Sequence, residues 1–115
     1  MGLYDEYEPS VSPTCPWCGT GFRGYWQGKD GPNAFFLWRQ GDRHPVDQPI
    51  DEDARMDPAR YTEFVLPAEF RISNVCEQGH MVEAVGRCVD GVWQELDLSS
   101  ERRKVAEKAM RDKRA

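Results

Sequence analysis

Two cysteine-bearing turns, Cys15-Pro16-Trp17-Cys18-Gly19 and Cys76-Glu77-Gln78-Gly79-His80, stand far apart in the chain and constrain its fold more than any other feature. Between them they offer the three thiols of Cys15, Cys18 and Cys76 and the imidazole of His80, which is a tetrahedral zinc set. A fold that uses this set must bring residues 15–18 against residues 76–80. Each turn must be tight enough for ligands a few residues apart to converge on one ion. Gly19 and Gly79 fall where the backbone turns and its amides can point at sulfur. The first knuckle has the Cys-x-x-Cys-Gly spacing. The second, Cys-x-x-x-His, is one residue longer than Cys-x-x-Cys. A closed set of four protein ligands is structural by default. The competing account is that the cysteines are small buried hydrophobes.

Cys88 is the fourth cysteine. A regular strand over residues 81–89 puts it roughly 26 Å beyond His80, too far for one ion to take both. The Asp90-Gly91 turn sets Val89 against Val92 and Cys88 against Trp93, so packing on an indole is its expected role. Cys15-Pro16-Trp17-Cys18 also looks like the Cys-Pro-aromatic-Cys site of glutaredoxins. Thiol-disulfide exchange there needs the first cysteine at a helix N-terminus, whereas Gly19-Thr20-Gly21-Phe22 reads as a turn entering a strand. His44, beside Pro45, reads as a surface loop residue. No nucleophile elbow, phosphate loop or paired-carboxylate signature is present, so no catalytic residue is assigned and the chain is read as non-enzymatic.

With 115 residues the chain suffices for one domain, and its apolar fraction of 39% is low. Eight prolines and ten glycines cut it into short pieces. A thin-cored, strand-rich domain helped by a metal clip is the expectation. No apolar run is long enough to span a membrane, and residues 1–6 resemble neither a secretory signal nor, with Glu6, a myristoylation site. The expected setting is the cytoplasm, where thiols stay reduced. Net charge is −5; residues 99–115 hold seven basic and three acidic residues, which leaves −9 on residues 1–98. An acidic body does not suit a phosphate backbone.

Residues 1–14 read as an extended lead-in. Residues 22–27 and 34–39 read as two strands of a hairpin around the turn at 28–32. Residues 40–60 carry an acidic loop at 47–57 (Asp47, Asp51, Glu52, Asp53 and Asp57), either solvated or a docking surface for a basic partner. Strands are expected at 61–66 and 70–75, and a hairpin at 81–89 and 92–98. Ser99 or Ser100 is the expected cap of a helix over about 100–113, with a narrow apolar stripe of Val105, Ala106, Ala109 and Met110. Trp17, Trp26, Trp38 and Trp93 are expected in the core or covering the knuckle.

Several of these motifs occur together elsewhere. Met-Gly-Leu-Tyr-Asp at the start, the Cys-Pro-Trp-Cys-Gly knuckle, Trp26-Gln27-Gly28-Lys29 and Gly41-Asp42 resemble a loose family of small bacteriophage and bacterial zinc-ribbon-like proteins. The resemblance covers residues 1–96 and implies a ribbon-type fold with Cys15, Cys18 and Cys76 as ligands. It implies no biochemical role. The family's second knuckle is often Cys-x-x-Cys; here Gly79 stands at the fourth cysteine and His80 follows.

The expected fold is therefore mainly β, a small α+β protein. Residues 1–98 form a zinc-ribbon-like antiparallel sheet and residues 99–115 a basic C-terminal helix or tail. The expected role is a zinc-binding accessory protein that contacts another macromolecule, an unidentified protein. The alternative is a nucleic-acid-associated ribbon using Arg102, Arg103, Lys104 and Lys108, and the third is a thiol-disulfide oxidoreductase.

Overall fold

The computed structural model describes residues 4–31, 36–43, 45 and 65–114. It is mainly β, as expected. The strands are β1 (Asp5–Glu8), β2 (Trp26–Gly28), β3 (Leu37–Arg39), β4 (Glu69–Val75), β5 (Met81–Val89) and β6 (Val92–Asp97). One helix, α1 (Ser99–Arg114), follows. The strands make a single sheet in the order β3-β1-β2-β4-β5-β6. All neighbours are antiparallel except β1 and β3, which are parallel. The sheet curls until its edges meet. The Gly41 amide after β3 donates to the Trp93 carbonyl of β6 at 2.8 Å, and the Gln40 side-chain amide to the Gln94 carbonyl at 2.8 Å.

The lead-in supplies a central strand, and this overturns the hairpin expected from residues 22–27 and 34–39. β2 and β3 do not pair; β1 lies between them. Asp5-Glu6-Tyr7-Glu8 alternates, but its inward set begins with a carboxylate, which conceals the strand pattern. Asp5 is fully buried and accepts from the Phe36 amide at 3.1 Å and from the Trp38 indole at 3.0 Å. Those bonds bring β3 to β1 and give the carboxylate the partners that burial demands.

The core runs along the inner face of the curl. Tyr7 stacks on Phe70 at 5.1 Å between centroids, and Trp93 meets both rings edge-on. Trp26, Trp38 and Trp93 are buried as expected. β5 and the strand assigned to 81–89 coincide, and the turn follows as read: Val89 faces Val92 and Cys88 faces Trp93, with Asp90 and Gly91 at positive φ. The register shifts by one between Arg87 and Cys88, which leaves Gln94 of β6 as the extra residue of a bulge. Of the strand expected at 61–66, Val65 and Leu66 are described and are not in a strand; residues 61–64, His44 and the loop at 47–57 lie outside the described residues.

The helix begins at Ser99, but neither serine caps it. The Arg102 amide bonds to the Leu98 carbonyl at 3.0 Å, and the Asp97 carboxylate accepts from the Ser99 amide at 2.8 Å. Asp97 also holds Arg87 at 2.7 Å, and Arg87 reaches Glu69 at 3.1 Å. The hydroxyl and amide of Ser99, with the Arg87 guanidinium, hold the Asp97 carboxyl down at about 2 from 3.8. A depressed native pKa adds stability that is complete above the unfolded value and disappears as pH falls through the native one. The gap in stability between the wild type and Asp97→Asn should therefore be constant above pH 3.8 and close towards pH 2. Denaturant midpoints measured down that range test it; a gap unchanged at pH 2 would contradict it.

Candidate metal centre

Both knuckles are closed by backbone bonds of the same kind. In the first, the Gly19 amide donates to the Cys15 carbonyl at 2.8 Å and the Trp17 amide to the Cys15 sulfur at 3.4 Å. In the second, the Gly79 amide donates to the Cys76 carbonyl at 2.9 Å and the His80 amide to the Cys76 sulfur at 3.3 Å. Gly19 and Gly79 have φ of 77° and 89°, the left-handed region in which a side chain is strained. The second turn reaches its glycine one residue sooner after the cysteine. The next residue, His80, then brings its Nδ1 to 3.3 Å from the Cys76 sulfur.

The knuckles meet because their flanks pair. Phe22 bridges Cys76, the Glu77 amide donates to the Gly21 carbonyl at 3.0 Å, and the Arg23 amide to the Val75 carbonyl at 3.1 Å. All four expected ligands are thereby brought together. Their ligand atoms lie within 4.8 Å of one another and can hold a metal ion. The Cys18 and Cys76 sulfurs are 3.7 Å apart, and His80 Nδ1 is 3.3 Å from the Cys76 sulfur and 4.0 Å from that of Cys15. The cysteines are free, and 3.7 Å is far beyond a disulfide bond. Cys15 and Cys76 are buried, while Cys18 is exposed.

The polar surroundings favour anionic sulfur at two positions. Burial pushes the Cys76 thiol up, but the His80 amide and the hydroxyl of Thr20 outweigh it and hold it at about 6. Hydrogen bonding from Thr20, whose hydroxyl is 3.0 Å away, lowers Cys18. Burial raises Cys15. Hydrogen bonds to Cys76 and Cys18 raise His80 and so help the imidazole keep its proton. A metal ion held here would displace that proton.

Trp17 and Glu101 tie this cluster to the helix. The Trp17 ring lies nearly parallel to that of His80, at 6.3 Å, so it covers the knuckle as the sequence suggests. Its indole donates to the Glu101 carboxylate at 3.0 Å, which also accepts from the Glu83 amide of β5 at 3.2 Å. Burial pushes the Glu101 carboxyl up, but the indole and that amide outweigh it and lower it. Glu101 thus fixes the first turn of α1 to both knuckle and sheet. It was not singled out in the sequence, where it reads as an ordinary acidic residue of a first helical turn; its burial arises only when Trp17 arrives from the other end of the chain. Trp17→Phe should cost about 1–2 kcal/mol by leaving a buried carboxylate short of a donor. It should also speed amide exchange in residues 101–104 of the helix; unchanged exchange there would contradict the link.

Cys88 takes no part. It sits opposite Trp93 at the far end of β5 from the knuckle and is half-buried. Cys15 opens a turn, and α1 starts only at Ser99, so the cysteine lacks the helix N-terminus that a glutaredoxin-type site needs. No described helix is long and apolar enough to cross a membrane. No family model, curated protein or solved structure matches the chain.

Proposed function

We propose that this chain is a non-enzymatic zinc protein of the ribbon-like kind its knuckles resemble, acting as an accessory module that binds another protein. The four-atom cluster carries the reading. Zinc bonds of about 2.3 Å to sulfur and about 2.0 Å to nitrogen give tetrahedral edges of about 3.8 Å between sulfurs and about 3.5 Å between sulfur and nitrogen. The separations of 3.7, 3.3 and 4.0 Å are close to those edges. Three sulfurs and one nitrogen favour zinc, and four protein ligands leave no open position for a substrate. The ion's work is then to hold the fold, in a cytoplasmic setting that keeps the thiols reduced.

The helix supports the binding role. After its first turn its described side chains are exposed, apart from the half-buried Val105. Arg102 and Arg103 form no ion pair among the described residues, and Met110 is exposed. The −9 body opposes a nucleic-acid partner and leaves protein as the favoured one. Cross-linked capture by the zinc-loaded chain should yield a defined protein that Arg102→Glu/Arg103→Glu no longer captures. The nucleic-acid alternative rests on Arg102, Arg103, Lys104 and Lys108, all exposed on this helix. Oligonucleotide binding that falls steeply with added salt would favour it over the protein reading.

A further inference from the structure

The four ligands are not equally protected. Cys15 and Cys76 are buried, whereas Cys18 is exposed. Its sulfur touches the Thr20 hydroxyl at 3.0 Å on one side and the Cys76 sulfur at 3.7 Å on the other. A small oxidant in solvent reaches this thiolate first and leaves a second sulfur in contact with the product. We infer that Cys18 is a peroxide-sensitive site, which forms a reversible disulfide with Cys76 and thereby releases the metal. The inference rests on the zinc reading above.

The chemistry balances. The Cys18 thiolate attacks one oxygen of hydrogen peroxide; the O–O bond breaks, hydroxide leaves, and Cys18 becomes a sulfenic acid. The Cys76 thiolate then attacks the Cys18 sulfur, the S–O bond breaks, and a second hydroxide leaves. Peroxide gains two electrons, one in net terms from each sulfur, and the two hydroxides take up two protons to become water. Two of the four ligands are thereby spent, since a disulfide sulfur is a far poorer donor than a thiolate. Closing the bond shortens 3.7 Å by less than 2 Å. Cys76 rather than Cys15 is assigned as the partner because its sulfur makes the 3.7 Å contact with that of Cys18.

The consequence extends to the helix. Trp17 reaches Glu101 from the same turn that carries Cys18. Metal release therefore loosens the indole that fixes α1, and oxidation would alter the surface on which binding is proposed.

The test uses the zinc-loaded full chain treated with hydrogen peroxide. Released zinc is followed with a chromogenic chelator, and disulfides are mapped by mass spectrometry. The expected result is stoichiometric zinc release in step with a Cys18–Cys76 disulfide, reversed by a thiol reductant with added zinc. Cys88→Ser should behave like the wild type. Cys18→His, which keeps a fourth ligand, should release zinc at least tenfold more slowly; if it fails to hold zinc, the disulfide map of the wild type decides alone. Zinc retained under peroxide, a Cys15–Cys18 disulfide, or release with only irreversible sulfonic acid would overturn the inference and leave the zinc reading intact. A chain that holds no zinc before treatment would overturn both.

Discussion

Cys76→Ser is expected to lose both the metal and cooperative folding. Cys76 is fully buried, and it joins three features of the fold: the bridge to Phe22, the amide bonds of the second knuckle, and the sulfur contacts to Cys18 and His80. Cys18 and Cys76 are 58 positions apart. By the chain-entropy argument, a cross-link closing a loop of that size is worth about 4 kcal/mol. Small domains have only about 5–15 kcal/mol in total, and a thin core places this one low in that range. Removing the link therefore consumes most of what holds the chain folded. Near-ultraviolet circular dichroism and thermal melting with and without zinc check this. Cys88→Ser is the control, expected within about 1 kcal/mol of the wild type because Cys88 is no ligand. A Cys76→Ser protein that melts like the wild type would show that the knuckles hold without the ion.

The second large effect is away from the metal. Gly86 faces Phe70 across β4 and β5, and a methyl group built on Gly86 would overlap the Cζ end of the Phe70 ring, well inside van der Waals contact. Phe70 is fully enclosed by Tyr7 and Trp93, so it has nowhere to retreat. The backbone of Gly86 is ordinary strand, which makes the effect one of space alone. Gly86→Ala should cost about 3 kcal/mol, at the upper end of overpacking. If the ring is the obstacle, adding Phe70→Leu should cost less in the Gly86→Ala background than in the wild type. Denaturant unfolding of the four proteins in that cycle gives the answer; strict additivity would place the obstacle elsewhere.

What could be read from the sequence followed from local chemistry. The cluster of Cys15, Cys18, Cys76 and His80 was legible because metal coordination would demand such residue types at short spacing, and because glycine marks the turns that spacing needs. The β5–β6 hairpin was legible because Asp90-Gly91 fixes its register and the flanking residues fix its length. Cys88 could be excluded by the same strand geometry. The first half resisted for a non-local reason. β1 begins with Asp5, and an inward carboxylate reads as solvent-facing until its donors at Phe36 and Trp38 are known. Without β1, the two aromatic segments around residues 28–32 look like natural neighbours. The cap of α1 differs from the expected serine for a related reason. Asp97 lies inside a strand, yet its carboxylate turns to the Ser99 amide because Arg87 draws it there. Glu101 is the third such case, a surface residue by pattern and a buried link by contact.

The central claim is that one zinc ion joins the two knuckles through Cys15, Cys18, Cys76 and His80. Elemental mass spectrometry of the protein purified without added metal, beside His80→Ala, tests it directly. The account predicts one zinc per chain in the wild type and a clear loss in the variant. A wild-type protein without metal, or a variant that keeps its full complement, would contradict it.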